Sequence, residues 1–258
     1  MKLKDKVAVV VGGGAGIGRA SSKLFAQEGA RVMVADIDID SANKVAAEIK
    51  AAGGQATTFK VDFTKEAEAQ AMIKTALERY GAIDILANIA GGSVGRGIRD
   101  KLGPFAESTK QEWDRIFDIN VNGPRNCTRA VIHHMMERRY GKIVCFASIA
   151  AVNGMSNGTD YAAAKGAIIA FTRSLAVEMA PYNVYVNCVT PSGVATERIN
   201  TFMPGPGNAA AREAGGSMSG LATPEELASA TLFLVCDDSN HVSGQNIIFG
   251  VPPVRPPR

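Results

Sequence analysis

Tyr161 and Lys165 are the two residues of this 258-residue chain whose spacing most directly suggests chemistry. They lie four positions apart in a stretch with helical character, so both side chains fall on one face of the helix. A free tyrosine has a pKa of about 10, which is too high for a base at neutral pH. A neighbouring cation lowers that pKa, so the pair could exchange a proton with an alcohol. The same spacing also arises by chance, and the two side chains are then simply solvated.

A glycine-rich segment at positions 12–18, GGGAGIG, could bind phosphate groups. It lies between an apolar run and a helical pattern, where glycines let the backbone approach a pyrophosphate and the helix start directs free N–H groups at it. This context predicts dinucleotide binding, and a purely structural turn is the alternative. The residues predicted to form this part of the site are Gly12, Gly14, Gly16, Ile17 and Gly18.

Asp36 could set the choice of dinucleotide. It ends the second apolar run, 18 residues after Gly18, where a carboxylate can accept hydrogen bonds from both ribose hydroxyls of adenosine and repel a 2′-phosphate. The glycine-rich segment also contains no Lys or Arg. Both observations favour NAD over NADP. Asp36 could instead only begin a turn, as the nearby Asp38 and Asp40 suggest.

The elements that must position these residues alternate regularly along the chain. Strands are predicted at positions 6–11, 31–36, 55–61, 83–88, 142–147, 185–189 and 245–249. Helices are predicted at positions 17–28, 41–52, 65–80, 111–139, 161–180 and 223–236. This alternation predicts a single-domain, doubly wound α/β fold of Rossmann type, with a mostly parallel sheet of about seven strands flanked by helices. The domain is expected to span residues 1–250, and the proline-rich tail at 251–258 is expected to be an extended arm or disordered.

Composition excludes several classes of function. The chain has 28 Lys+Arg against 25 Asp+Glu, and the charges are interspersed, which argues against a nucleic-acid partner. Its four cysteines and three histidines lack metal-ligand spacing, so no metal is expected. The cysteines are predicted to be small core residues in a reducing compartment. No signal peptide and no membrane-length apolar stretch is present, so we expect a cytoplasmic protein with no membrane partner.

The order and spacing of these motifs resemble those of the short-chain dehydrogenase/reductase family over nearly the whole chain. The residues most specific for the resemblance are Asn120, Ser148, Tyr161 and Lys165, which are separated by 28, 13 and 4 positions. The remaining matches are the glycine-rich segment, Asp62, Asn88-Ile89-Ala90-Gly91, Asn187 and Pro191-Ser192-Gly193 followed by Thr196. The chain departs from the family pattern at Val11, Ile89 and Ser192, which stand where Thr, Asn and Gly are usual.

The resemblance implies a role for each matched residue. Tyr161 would be the general acid/base, Lys165 would lower its pKa and hold the nicotinamide ribose, and Ser148 would bind the substrate oxygen. Asn120 would position a water that links Lys165 to solvent. The NAD-binding residues that the resemblance implies are Gly12, Gly14, Gly16, Ile17, Gly18, Asp36, Ile37, Asp62, Phe63, Asn88, Ala90, Gly91, Tyr161, Lys165, Pro191, Gly193, Val194 and Thr196.

The function expected from these roles is reversible NAD-dependent oxidation of a secondary alcohol, cyclic or hydroxyacyl, to a ketone by hydride transfer. Two alternatives remain open. One is a 3-oxoacyl-CoA or carrier-protein reductase or a 3-hydroxyacyl-CoA dehydrogenase, and the other is a non-catalytic dinucleotide-binding subunit. Taken singly, Asn88 and Asn120 could be turn residues, and Ser148 could be a helix cap. The family resemblance also implies a homotetramer assembled through the helices at 111–139 and 161–180.

Two irregular stretches are expected near the substrate. The stretch at 91–103 carries Arg96, Arg99 and Lys101, which could form a cationic lid over an anionic substrate, although a solvated loop is favoured. The stretch at 198–220 is expected to line the pocket with Phe202, Met203 and Met218. Outside these stretches, His133 and His134 are expected at the surface or an interface rather than in catalysis, and Trp113 is expected to be a packing anchor.

Overall fold

The computed structural model describes residues 1–95, 98–197 and 221–250, and within them seven strands form one sheet. The strand order is β3-β2-β1-β4-β5-β6-β7, and every neighbouring pair is parallel. The strands are β1 (Val7–Val11), β2 (Arg31–Asp36), β3 (Gln55–Lys60), β4 (Ile85–Asn88), β5 (Gly141–Phe146), β6 (Val184–Pro191) and β7 (Asn246–Phe249). The predicted Rossmann-type sheet is thereby confirmed, and it is wholly rather than mostly parallel in the described part.

Helices connect successive strands and cover both faces of the sheet, as right-handed crossovers require. They are α1 (Gly16–Gln27), α2 (Ile39–Ala51), α3 (Glu66–Tyr80), α4 (Lys110–Phe117), α5 (Gly123–Arg138), α6 (Ala150–Asn153), α7 (Thr159–Met179) and α8 (Pro224–Val235). With one exception, the predicted ends of strands and helices differ from the observed ends by at most two residues. The short helix α6 was not predicted, because four residues are too few to carry a periodic pattern.

The exception is the long helix predicted at 111–139, which is wrong as a continuous helix. The structure has α4, then a π-helical segment over Asp118–Asn122, then α5. Two features of the sequence account for the break. Pro124 has no N–H to donate to the carbonyl of Asn120, and the Asn120 side chain donates to the Ile116 carbonyl oxygen at 2.9 Å. Such π segments often occur at functional positions.

The core is built on both faces of the sheet. All residues of β1 and β5 are buried, which fits the near-continuous apolar runs expected of parallel strands covered by helices on both sides. The four cysteines are unpaired and buried, as predicted. Burial raises the pKa of Cys127 and Cys145 to about 12 and that of Cys188 to about 11, so these thiols are protonated and unreactive at neutral pH.

The strand order places the carboxyl ends of β1 and β4 side by side. The connection after β1 leads to β2 on one side, while the connection after β4 leads to β5 on the other, so a crevice opens between them. Ligands of open α/β sheets bind at such a crevice. Among the described residues, no helix is long and apolar enough to span a membrane, and no three His, Cys, Asp or Glu side chains group as metal ligands.

Candidate active site

The glycine-rich turn between β1 and α1 is shaped for close approach. Gly12 has a φ of +79°, and a Cβ built on it would lie 2.8 Å from the backbone of Ala90 in the loop after β4. A Cβ on Gly18 would collide with the carbonyl oxygen of Gly12. Ala15 precedes α1 without a side-chain cap, so the first N–H groups of the helix are free to bind an anion. The turn therefore fits a phosphate-binding role.

Asp36 lies at the carboxyl end of β2 and is only 3% exposed. Its Oδ2 accepts a hydrogen bond from the Gly14 amide at 2.9 Å, and its Oδ1 accepts one from the Asp38 amide at 3.1 Å. The second bond is the turn that the sequence offered as an alternative interpretation. Each carboxylate oxygen can accept more than one hydrogen bond, so the turn does not prevent Asp36 from binding ribose hydroxyls.

A cleft of about 680 Å³ runs along the carboxyl ends of the strands. Thr196, which follows β6, approaches Gly16 at the start of α1. Its Cγ2 would lie 3.1 Å from a Cβ built on that glycine. Most of the cofactor-binding residues predicted from the sequence line this cleft. They are Gly12, Gly14, Gly16, Ile17, Gly18, Asp36, Ile37, Asp62, Phe63, Ala90, Gly91, Val194 and Thr196.

Five predicted cofactor-binding residues do not line the cleft, namely Tyr161 and Lys165, described below, and three that hold its surroundings together. Asn88 is buried, and its Nδ2 donates to Thr128 Oγ1 at 3.1 Å, which ties β4 to α5. The Pro191 carbonyl oxygen accepts from the Ile149 amide at 2.9 Å, which ties the end of β6 to the loop after β5. The third is Gly193, where a Cβ would collide with the side chain of Leu221.

Asp62 lines the cleft, and its carboxylate accepts hydrogen bonds from within the protein. Its Oδ1 accepts hydrogen bonds from the Thr64 hydroxyl at 2.6 Å and the Thr64 amide at 3.2 Å. Partial burial would raise the pKa of Asp62, but these bonds and the nearby Lys65 outweigh burial and lower that pKa below its usual value. The neighbouring Phe63 packs its ring against Gly123, where it leaves no room for a Cβ.

Sequence reasoning missed one wall of the cleft, which α2 provides. Ser41, Lys44, Val45 and Glu48 all line it. Their spacing of three or four residues marks one face of the helix that follows Asp36, so helical periodicity could have identified them. The other missed residues include Ile98, Arg115, Ile119, Ser192 and Glu197.

Tyr161 and Lys165 lie on one face of α7, as their spacing requires. Lys165 is only 3% exposed, and its Nζ donates to the Phe146 carbonyl oxygen at 2.8 Å. The same Nζ lies 5.8 Å from the centroid of the Tyr161 ring. Because Lys165 is buried, the two side chains are not the solvated pair that chance spacing would produce. The arrangement brings a desolvated cation next to a phenol.

Asn120, at the centre of the π-helical segment, lies across Gly91 from the same lysine. It is fully buried, and it exchanges two hydrogen bonds with the backbone of Gly92, at 3.0 Å to Oδ1 and 2.9 Å from Nδ2. A Cβ built on Gly91 would lie 2.8 Å from Asn120 Oδ1 and 2.9 Å from Lys165 Nζ. The loop after β4 is therefore packed directly between Asn120 and Lys165.

Ser148 follows β5 at the carboxyl edge of the sheet and is partly buried. Its Oγ accepts a hydrogen bond from the Ala150 amide at 3.2 Å, at the start of α6. Ser148 thus binds the first amide of α6, although Ile149 and not Ser148 occupies the N-cap position. The hydroxyl proton remains available for donation, because this hydrogen bond uses only a lone pair.

The loop expected to be a cationic lid is arranged differently. Arg99 is buried and forms two hydrogen bonds with Asp160, at 2.8 and 3.0 Å, so both the lid and the solvated-loop interpretation are wrong for this residue. Lys101 is exposed. Arg96 lies outside the described residues. So do the stretch at 198–220 with Phe202, Met203 and Met218, and the tail at 251–258.

His134 and Trp113 contribute to packing, whereas His133 does not. His134 Nε2 accepts a hydrogen bond from the Ile83 amide at 3.1 Å, which ties α5 to the segment before β4, and His133 is exposed. Burial and the Arg138 cation lower the pKa of His134, which favours the neutral imidazole that can accept this bond. Trp113 stacks on Phe117 with ring centroids 6.0 Å apart, as a packing anchor would.

Known proteins of one family resemble this chain over most of its length. A family model described as short chain dehydrogenase matches residues 6–205. The short-chain reductase protein NovJ of Streptomyces niveus is 36% identical over 249 residues, which cover 95% of this chain and 92% of that protein. The cyclopentanol dehydrogenase of Comamonas sp. is 35% identical over 247 residues, which cover 96% of each chain.

A solved structure of 7α-hydroxysteroid dehydrogenase, complexed with NADH and 7-oxo glycochenodeoxycholic acid, gives a TM-score of 0.89. It is 32% identical in sequence, and the match covers 96% of this chain and 94% of that one. The glycine-rich turn, the paired Tyr161 and Lys165, the parallel sheet and these matches agree. The chain belongs to the short-chain dehydrogenase/reductase family.

Proposed function

We propose that the protein is an NAD-dependent oxidoreductase that interconverts a secondary alcohol and a ketone. The observation that carries the proposal is the buried Lys165 ammonium beside the Tyr161 phenol, packed against Gly91, which lines a cleft suited to a dinucleotide. A desolvated cation favours the anionic form of a neighbouring phenol, whereas a solvated cation has little effect on it. A binding-only subunit would not need this arrangement.

The residues of the cleft fit a dinucleotide. Gly12 and Gly18 have no room for a Cβ, so only glycine permits this tight turn at the lining of the cleft, and the uncapped start of α1 supplies N–H donors. Asp36 at the end of β2 would accept from the adenosine ribose, and Asp62 from the adenine amino group. When bound, NAD would supply the hydride acceptor for alcohol oxidation and, as NADH, the donor for ketone reduction.

Each catalytic residue would then act on a proton or a charge. Tyr161 would take the hydroxyl proton of the alcohol, or return it to the ketone oxygen in reverse. Lys165 would stabilise the phenolate and donate to the nicotinamide ribose. Ser148 would donate its free hydroxyl proton to the substrate oxygen. Asn120, which already fixes Gly92 and the π-helical segment, would hold a water on the route from Lys165 to solvent.

The preference for NAD over NADP rests on charge at the cleft wall. Asp36 would repel a 2′-phosphate. Arg19, the cation of α1 that lines the same cleft, is engaged by Glu48, with NH2 2.8 Å from Oε1. Glu48 also forms an ion pair with Lys23 at 2.9 Å, so one carboxylate binds both Arg19 and Lys23. Lys44 and Arg115 oppose this preference, since both cations line the cleft and could bind a 2′-phosphate.

A cyclic secondary alcohol is the substrate class that we favour. Two relatives, by name a cyclopentanol dehydrogenase and a 7α-hydroxysteroid dehydrogenase, act on ring alcohols. A CoA or carrier-protein thioester needs basic docking residues, and the side chain of Arg99 in the basic loop after β4 is buried against Asp160. Arg99, one of the three cations of this loop, therefore binds a carboxylate of the protein itself and not a carrier.

The catalytic unit would span residues 1–250, because strands from Val7 to Phe249 belong to one sheet. We propose a homotetramer, with α5 and α7 as the contact helices. Val177 of α7 is 75% exposed, which fits a residue covered by another subunit. The four unpaired, buried cysteines fit a reducing cytoplasmic location.

The test is a spectrophotometric screen for NADH formation. The panel contains cyclic alcohols, open-chain secondary alcohols and 3-hydroxyacyl-CoA thioesters, each with NAD and with NADP. We expect turnover of cyclic alcohols with NAD, and its loss in Tyr161→Phe with NADH binding retained. Tight NADH binding without turnover on any substrate would favour the binding-only alternative, and faster turnover of thioesters would favour the acyl alternative.

A further inference from the structure

The side chains of Arg99 and Asp160 form an ion pair that is almost completely buried. Arg99 is 8% exposed and Asp160 is 3% exposed. The guanidinium donates from NH1 to Oδ2 at 2.8 Å and from NH2 to Oδ1 at 3.0 Å, so both oxygens of the carboxylate are fixed by one planar group. Taking both charges out of water is unfavourable, and such a pair is a weak source of stability. The position of the ion pair is better explained by the segments that Arg99 and Asp160 each contact.

The arginine end organises the loop after β4. Arg99 Nε donates to the Ser93 carbonyl oxygen at 2.9 Å, and the Arg99 carbonyl oxygen accepts from the Gly95 amide at 2.8 Å. The same loop contacts two of the proposed catalytic residues directly. Gly91 lies against Lys165, and Gly92 exchanges two hydrogen bonds with Asn120.

The aspartate end organises the start of α7. Asp160 is in the first turn, and its Oδ1 accepts from the backbone amide of Tyr161 at 2.7 Å. An aspartate in this position also interacts favourably with the positive end of the helix. Because Arg99 holds both oxygens, the carboxylate cannot rotate away from the Tyr161 amide. The loop after β4 is thus connected to Lys165, Asn120 and Tyr161.

We propose that Arg99, acting through Asp160, is a positioning residue for Tyr161. The catalytic consequence of this inference rests on the function proposed above. The pair fixes the first turn of α7 against the loop that carries Gly91, so the phenol keeps a constant position relative to Lys165. Loss of the pair lowers the rate of proton exchange at Tyr161 and leaves dinucleotide binding, which depends on the glycine-rich turn and Asp36, in place.

The test compares Arg99→Met with Lys101→Met, which removes an exposed cation two residues away. We expect Arg99→Met to lower kcat by about tenfold or more, because small displacements of a catalytic group are costly. The dissociation constant for NADH should change by less than about threefold, since the change acts on chemistry and not on binding. Arg99→Lys should restore part of kcat, and Lys101→Met should resemble the unmodified protein.

A second readout does not depend on turnover. The chain has five tyrosines, so with ¹³C at the tyrosine Cζ the NMR spectrum is simple, and Tyr161→Phe assigns the relevant signal. Arg99→Met should shift or broaden the Tyr161 signal and leave the other four unchanged. If the unmodified protein lacks turnover on the whole panel, the proposed function fails and this spectrum still decides whether Arg99 positions Tyr161.

Asp160→Asn provides a second variant if Arg99→Met does not fold. It keeps an acceptor for the Tyr161 amide but removes the charge that Arg99 binds, so the same two effects are expected in weaker form. An unchanged Tyr161 signal, or an unchanged kcat in folded Arg99→Met, would overturn the proposal. A higher dissociation constant for NADH with unchanged kcat would also overturn it, because the pair would then serve the cleft wall at Ile98.

Discussion

The Lys165 ammonium donates to the carbonyl oxygen of Phe146 over 2.8 Å, which ties the face of α7 that carries Tyr161 to the carboxyl end of β5. The bond leaves two ammonium protons for other partners. Because Phe146 belongs to the buried strand next to Ser148, this contact fixes the lysine relative to the edge of the sheet.

Lys165→Met is expected to lower kcat/KM for alcohol oxidation by about 100-fold or more, which is within the range for general acid/base catalysis. The phenol of Tyr161 would lose the cation that favours its anionic form. Lys142→Met is a matched control. Lys142 is also buried, but it lies at the opposite end of β5, where its Nζ donates to Asn240 at 2.9 Å. Steady-state kinetics of both variants should separate them, and equal losses of activity would contradict the role of Lys165.

Gly91→Ala is expected to lower kcat by about tenfold or more, because its Cβ would displace either Asn120 Oδ1 or Lys165 Nζ. Gly103→Ala is the control, because a Cβ there meets no atom within 4 Å. Both variants should unfold cooperatively, as monitored by circular dichroism. Full activity in Gly91→Ala would mean that the close packing around Lys165 does not matter for turnover.

Asp36→Asn is expected to lower kcat/KM for NAD by about tenfold or more, since hydrogen bonds to charged groups contribute about 1.5–3 kcal/mol. Use of NADP should improve relative to NAD, because the repulsion of the 2′-phosphate is removed. Asp40→Asn, which changes an exposed carboxylate at the start of α2, should leave both values unchanged. A ratio of NADP to NAD use that does not rise would exclude Asp36 as the determinant.

The stability of the protein should depend on His134 below neutral pH. Burial, helped by Arg138 and partly opposed by Asp84 and Glu137, lowers the pKa of His134 below its ordinary value of 6.5. The unfolded chain therefore binds more protons, and stability present above about pH 6.5 is lost as the pH falls through that value. Urea unfolding at pH 7.5 and 5.5 should show a smaller loss of unfolding free energy for His134→Gln than for the unmodified protein. His133→Gln, which changes an exposed histidine, is the control. An equal loss of unfolding free energy in the unmodified protein and in both variants would refute the linkage.

Much of the fold could be predicted from the sequence because its signals are local. Buried parallel strands such as β1 are continuous apolar runs, and the spacing of Tyr161 and Lys165 fixes their shared face on any helix. The glycine-rich turn is recognised from the strand before it and the helix after it. These features depend on neighbours in the chain, which the sequence gives directly.

The remaining features depend on contacts between distant segments. Arg99 and Asp160 are 61 positions apart, and nothing in either local sequence distinguishes a buried pair from two solvated charges. The sequence predicts Asn88 as a cofactor-binding residue, and its hydrogen bond to Thr128 of α5, 40 positions away, cannot be read from the sequence. The interruption of the helix at Asn120 was predictable only in part. Pro124 is evident from the sequence, but the hydrogen bond from the Asn120 side chain to the Ile116 carbonyl oxygen is not.

The central claim is that a hydride passes directly between nicotinamide and the substrate carbon while Tyr161 handles the proton. The most direct measurement uses NADH deuterated at both C4 positions, with cyclic ketones as substrates, followed by mass spectrometry and NMR of the alcohol product. The account predicts one deuterium on the carbinol carbon, a hydroxyl proton that comes from solvent, and no product with Tyr161→Phe. Alcohol without deuterium at that carbon, or undiminished product with Tyr161→Phe, would contradict it.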